Sequence, residues 1–546
     1  FIQAMNGEDS IKCIHDGAVE VYHNNVKKLE TTSGGINVTG AINVNGVALS
    51  TAPTITAIAN GAISANEAVI VETDGKVAGI TAVSDTTTSS ANLRDTANNS
   101  YGPRYLQTAW DGANNTIVAI WYEHTGNANQ SRINIAAGTL SGTSLTWGSN
   151  VVVYEGTARW PQVVSLGSNK YLLTWAQDSN AGKGQIATVS GTSVTLQGSP
   201  TDDNLSNKYN DSDLLAISST KAALVYAHGY NDENYIKVIT ISGNNISFGS
   251  PTVCASSHAN GGYNRLVKIS ATTFLWTYFR QPFQTIYGRI CTVGSSDTTV
   301  SFGTNEAIFI DNKGNSHLTI YDSVKGQGAF VWQHSGRSDR ICALRWNVSG
   351  TTLTVQTSTI TNDLTGNYDY ERWQLQGAIS ATSDMFITMK NSGGSPGNQG
   401  EYFKLVQDGD TFTASNFTQN FSGGDYVMSG DAASQSSVPQ LVAPGKFLVL
   451  WGTYKSGQNW LRYFVRQYAA TDLTTKNFIG FASAGYSNGQ TATINVTGNT
   501  TTQSSLTPGQ KYYVQNDGTI ATSAADPSVV AGTALTSTSL LISPGR

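Results

Sequence analysis

The stretch YLLTWAQD at 171–178 decides how this chain is read. It is a short apolar run with a Trp near its end. The tight turn Gly167-Ser-Asn-Lys precedes it; a polar hairpin, a third segment and the turn Ser190-Gly-Thr-Ser follow. The same grammar returns at Thr116–His124 (TIVAIWYEH), 222–228 (AALVYAH), 274–280 (FLWTYFR), 328–334 (GAFVWQH), 385–390 (MFITMK) and 447–454 (FLVLWGTY). With Trp121, Trp175, Tyr226, Tyr278, Trp332, Met389 and Trp451 taken as equivalent, the period drifts between roughly 50 and 60 residues, the range of a four-stranded propeller blade. Turns between third and fourth segments agree: Ser141-Gly-Thr-Ser, Ser190-Gly-Thr-Ser, Ser242-Gly-Asn-Asn and Ser349-Gly-Thr-Thr. A fixed period carrying four strand-like segments predicts an all-β fold with a seven-bladed β-propeller over 101–483.

Composition fits. Charged residues make up 13% of the chain and Gly numbers 55, so long helices are not expected and strands with turns are. The aromatic content of 10% separates the chain from disordered sequences. A net charge of -5 and the lack of any dense Lys/Arg cluster argue against nucleic acid as a partner. No apolar run approaches ~20 residues, so no membrane insertion is expected. The start at Phe1, with no basic-then-apolar leader, reads as a cut within a longer chain. Cys13, Cys254, Cys291 and Cys342 have neither metal-site nor disulfide-framework spacing and read as buried thiols from a reducing compartment.

The flanks differ from the repeats. Residues 1–50 alternate apolar and polar positions with Gly punctuation, as in GINVTGAINVNGV at 35–47. One copy of this segment has too little apolar surface for a core of its own, so identical copies around an axis are expected to cover it. Residues 51–100 hold a hairpin, AVIVET at 68–73 turning at Asp74-Gly75, then a polar stretch, 84–100, that reads as a linker. Within it, 91–95 could supply an edge strand that closes the ring. Residues 484–546 form a C-terminal β module. Its hairpin KYYVQ-NDG-TI at 511–520 echoes the one at 68–83, so the two are expected either to pack as one base into which the propeller is inserted or to stand independently.

Four runs, one in the N-terminal flank and three toward the C-terminus, carry a resemblance. GAVEVYHNNVKKLETTSGGINVTG at 17–40 resembles the shaft segment of bacteriophage tail fibres, particularly of marine and cyanobacterial phages. The wording of NFIGFASAGYSNGQTATI at 477–494, SLTPGQKYYVQNDGT at 505–519 and VAGTALTSTSLLI at 530–542 is similar to a recurrent C-terminal module of the same proteins. The resemblance implies a trimeric β shaft ahead of receptor-binding heads. It implies a virion component, made in the host cytoplasm, whose partners are two further copies, other phage tail proteins and a host cell-surface glycan or outer-membrane receptor.

The repeats point to one face for recognition. The first-to-second and third-to-fourth turns are short and bland. Connections on the opposite face are long and mix aromatic with polar groups, the chemistry that sugars require. Candidate ligand residues there are Tyr122, His124, Trp160, Asp178, Tyr209, His228, Tyr230, Arg280, His334, Arg337, Lys390 and Tyr454. No catalytic residue, metal ligand or cofactor is expected. Asp-boxes of the sialidase type are absent, and the strand-end acids Glu123, Asp178, Asp232 and Glu233 form no recognisable pair in sequence. Asp211-x-Asp213 and Asp408-x-Asp410 read as turn formers rather than calcium ligands. Attachment through glycan binding is therefore the expected role. A polysaccharide-cleaving tailspike and a purely structural virion protein are the rivals.

Overall fold

The computed structural model describes residues 2–3, 9–40, 43–44, 47–48, 53–72, 74–83, 86–88, 91–95, 101–124, 132–177, 182–203, 209–228, 233–255, 264–280, 285–294, 296–311, 317–323, 325–334, 340–356, 372–379, 385–391, 399–408, 411–418, 426–427, 437–443, 445–455, 458–468, 470–525 and 527–543. Among them every regular element is a strand. The chain forms two compact units, one from 1–82 with 471–546 and one from 83–470.

The larger unit is a succession of antiparallel meanders. The second shows the plan: Ala158–Gly167, Lys170–Gln177, Gly182–Ser190 and Ser193–Asp202 pair in sequence order. Among the described residues, sheets on this plan begin at Tyr101–Asp111, Ala158–Gly167, Tyr209–Ser218, Arg265–Lys268, His317–Asp322, Arg372–Ile379 and Ser437–Ala443. Each of these first strands touches the next, and the strand Ser437–Ala443 touches Tyr101–Asp111, so the sheets close a ring. That is the connectivity of a β-propeller. The segment at 84–100 is not merely a linker, because Ala91–Asp95 pairs with Gln458–Gln467. A strand from before the first sheet thus forms the outer edge of the last, which ties the two ends of the ring together.

The second strands carry the core. Trp121, Trp175, Trp332, Trp451, Tyr226, Tyr278 and Met389 are all buried, and each packs with residues of its own or an adjoining sheet. Polar stitches join neighbouring sheets on the face of the short turns. Lys170 Nζ donates to Gly243 O at 2.9 Å, Lys325 Nζ to Gln407 O at 2.9 Å, and Lys221 Nζ to Gly294 O at 3.1 Å and to Asp297 O. In each case a Lys beside a first-to-second turn reaches the third-to-fourth turn of the next sheet. Fourth strands press close there too. A Cβ at Gly148, Gly249 or Gly303 would collide with the carbonyl oxygen of Thr192, Thr298 or Thr351. Only Gly permits that approach.

In the smaller unit, Asp9–Cys13, Val19–His23, Val26–Thr32 and Gly35–Val38 form a two-faced sheet. Partners across it are Ile11, Val21, Leu29 and Val38 in one row and Lys12, Glu20, Glu30 and Asn37 in the next. Strand alternation puts Cys13, Val19, Thr31 and Ile36 on the apolar face as well. The other face is a network in which Lys27 Nζ reaches Glu20 at 3.0 Å and also Glu30, and Tyr22 donates to Glu20 at 2.6 Å. On the apolar side Ile36 is 64% exposed.

The same unit contains a two-sheet body. One sheet runs Val77–Gly79, Ala68–Val71, Phe478–Ala482, Thr491–Asn495, Thr54–Ile58; the other runs Thr500–Thr502, Ser539–Ile542, Val529–Ala534, Lys511–Val514, Ile520–Ala521. Ala68, Ile70, Phe481, Tyr512 and Val514 share its core, so the two echoing hairpins do pack together. Phe478–Ala482, grouped with the last repeat in sequence, belongs to this body because it pairs with Ala68–Val71.

Candidate functional site

The first strands line a central cavity of about 330 Å³. Its wall has a simple register. The residue before each core aromatic or Met of the second strand pairs, in turn, with Gln107, Gln162, Asp213, Arg265, Leu318, Gln376 and Val438. Five of these, Gln107 to Leu318, line the cavity. Two residues further along each strand the lining is Val164, Val267, Ile320, Ala378 and Gln440. First strands begin where the second strands end. The polar level therefore sits toward the long connections, and the mainly apolar level toward the short turns.

The polar level is held by bonds between sheets. Gln162 Nε2 donates to Ser212 O at 2.7 Å, and Ser212 Oγ donates to Trp160 O at 3.3 Å. Leu266 N donates to Asp213 Oδ2 at 2.7 Å. At the mainly apolar level the one polar side chain is engaged in the same way: Gln440 Nε2 donates to Thr108 Oγ1 at 3.0 Å. First strands do not form ladders with one another, so such side chains satisfy their inner edges. Burial pushes the Asp213 carboxyl up to about 6, against the pull of the Arg265 guanidinium and the N–H groups of Leu266 and Leu214. Burial holds the His317 imidazole well below its usual range, with Arg265 adding to the effect.

Two of the sequence-predicted ligand residues have a different role. Tyr122 is 4% exposed and Trp160 8%, both within one core cluster. Tyr105 lies between them, its ring centroid 4.8 Å from Trp160 and 6.2 Å from Tyr122. Tyr105 and Trp160 both have φ of 54°, at bulges where the pairing register shifts. A bulge re-aims a side chain, and here it turns each ring into the seam between sheets. These rings pack sheets together and offer no open platform.

Seven others have placed backbones only. His124, His228, Arg280 and His334 end their second strands, Lys390 and Tyr454 lie one residue before such an end, and Tyr209 opens a first strand opposite His228. The ends of these strands all lead into the long connections. Their side chains lie outside the described residues, as do Asp178, Tyr230 and Arg337 entirely.

Of the four strand-end acids, Glu123 and Glu233 lie among the described residues. Glu123 is 1% exposed; it accepts from Trp121 Nε1 at 3.0 Å and pairs with Arg132 at 3.0 Å. Both of its carboxyl oxygens are thus engaged within the chain. Glu233 accepts from the Tyr235 hydroxyl. Asp178 and Asp232 lie outside the described residues. Asp213 is not a turn former: it lies within the strand Tyr209–Ser218 and accepts from Leu214 N and from Leu266 N of the next sheet; Asp211 has only its backbone described, and Asp410 lies outside the described residues. Among the described residues no cluster of three or more His, Cys, Asp or Glu is arranged to hold a metal. Sequence reasoning missed the polar cavity level. Its signal is the offset of 13 or 14 residues at which Gln107, Gln162, Asp213 and Arg265 precede each aromatic anchor, visible only once the first strands are aligned.

No protein-family model matches the chain, and no curated protein does. Similar solved structures include Sqt1 from Chaetomium thermophilum, at 8% identity and a TM-score of 0.39 over 68% of this chain and 99% of that one. The NanB sialidase of Streptococcus pneumoniae aligns at 10% identity and a TM-score of 0.37 over 83% of this chain and 82% of that one. The Aleuria aurantia lectin AAL aligns at 12% identity and a TM-score of 0.36 over 58% and 95%. At such scores these likenesses assign no function; the propeller rests on the strand connectivity above.

Proposed function

We propose that this chain is the distal part of a bacteriophage tail fibre, a homotrimeric virion component whose seven-bladed propeller heads attach to a host-surface glycan without cleaving it. The observation that carries the reading is the two-faced sheet at 9–38. It presents Ile36 and Val38 at 64% and 38% exposure, with nothing among the described residues covering them. Identical copies on one axis would bury such a face, as the resemblance of 17–40 to fibre shafts implies. Three heads on one axis turn weak single contacts into avidity. The Lys stitches occupy the face of the short turns, which leaves the long connections as the recognition face.

Two measurements test this. Light scattering on the intact chain should give close to three times 57.9 kDa. Immobilised protein should retain envelope polysaccharide of the host and leave its length unchanged. A clean monomer would remove the fibre argument. Shortened polysaccharide would make the protein a tailspike enzyme.

A further inference from the structure

The central cavity is graded, and the grading has a chemical meaning. Toward the long connections its wall presents Gln107, Gln162, Asp213 and Arg265 beside Leu318; toward the short turns it presents Val164, Val267, Ile320 and Ala378 beside Gln440, whose amide is engaged by Thr108. The polar groups are fixed rather than swinging, since Gln162 and Asp213 are held by Ser212 O and Leu266 N. Asp213 and Arg265 stand on neighbouring first strands with opposite charges, so the pair offsets itself and gives this level no net charge that would favour an ion of either sign. The volume of about 330 Å³ lies at the small end of ligand pockets, which run from roughly 300 to 1,000 Å³. That is room for one small ring, not for an extended chain.

A ligand that suits this wall is uncharged, rich in hydroxyls at one end and apolar at the other. A pyranose has that build, with hydroxyls at its rim and C–H groups on its face. We infer that the cavity receives one neutral sugar ring, the terminal unit of a surface glycan, with its hydroxyls at the polar level and its C–H face on the apolar floor. The inference rests on the glycan-binding reading above and adds to it the class of sugar and the place where it lodges.

The experiment uses the full chain and saturation-transfer NMR. Probes are D-glucose, D-galactose, D-mannose and N-acetyl-D-glucosamine, with glucosamine and N-acetylneuraminic acid as charged comparators. At least one neutral sugar should bind saturably. Ala378→Phe, which fills the floor, should abolish the signal, and Gln107→Met should weaken binding about tenfold, the worth of one hydrogen bond. Retention of host polysaccharide is measured on the same proteins. Polysaccharide held equally by wild type and Ala378→Phe would overturn the cavity site while the recognition face stands. A preference for a charged sugar, or silence from every neutral one, would overturn it too. Wild type that retains no host polysaccharide would instead sink the attachment reading. Circular dichroism confirms the fold of each variant; should Ala378→Phe misfold, unchanged sugar binding by Gln107→Met overturns the proposal.

Discussion

Lys446 Nζ donates to the carbonyl oxygen of Gly142 across 3.1 Å, joining the last sheet of the ring to the first. It repeats, at the point of closure, the stitch that Lys170, Lys221 and Lys325 make elsewhere. The four differ in exposure, and that difference fixes what each contributes. Lys221 is 7% exposed and reaches two carbonyls, whereas the Lys446 bond lies at the surface. Lys221→Met should lower stability by about 2 kcal/mol, the range for a hydrogen bond to a charged group. Lys446→Met should cost about 0.5 kcal/mol, near the value of an exposed contact. Denaturant melts of the two variants should rank in that order; the reverse ranking would show that the stitches do not act through burial.

Asp203 and Lys237 form a buried pair at 3.2 Å, their side chains 0% and 2% exposed. Burial lowers the Lys237 amine, partly offset by the Asp203 charge. Removing one partner strands the other charge, so Asp203→Leu should cost about 3–5 kcal/mol. The double variant Asp203→Leu with Lys237→Met should recover most of that loss. A thermal-melt double-mutant cycle measures the coupling, and strictly additive losses would contradict it.

The Asp213 carboxyl titrates near 6 in the folded chain, above its ordinary 3.8. The folded state therefore binds this proton more tightly than the unfolded state. Its contribution to stability is fully present below the unfolded value and is lost as pH rises through about 6. Asp213→Asn keeps an acceptor for Leu266 N and cannot titrate. The difference in stability between wild type and Asp213→Asn should thus shift against wild type between pH 4 and 7. A difference that is flat with pH would refute the assignment.

Ring closure depends on the strand Ala91–Asp95, where Leu93 packs with the cluster that contains Leu106, Leu450 and Leu461. Leu93→Asp places a charge against that cluster and should loosen the outer edge of the last sheet. Hydrogen exchange should quicken across Gln458–Gln467 and leave Gly182–Ser190 unchanged. Uniform protection in the variant would mean that the ring holds without this strand.

Much of this was legible in the chain itself. The repeated second strands, their aromatic anchors and the Ser-Gly turns are local patterns, set by side-chain alternation and turn chemistry within a few residues, and they determined an all-β ring of meanders. The Asp-Gly hairpins at 74–75 and 517–518 are legible for the same reason. Tertiary structure alone decided the rest. Strand pairing is a choice among distant partners, so only the fold shows that Ala91–Asp95 closes the ring and that Phe478–Ala482 joins Ala68–Val71. Burial depends on what the next sheet brings: Tyr122 and Trp160 look like sugar platforms in sequence, yet a bulge turns Trp160 into a seam that Tyr105 fills. The polar level of Gln107, Gln162, Asp213 and Arg265 is scattered along 159 positions of sequence and becomes one wall only when four first strands stand side by side around the axis.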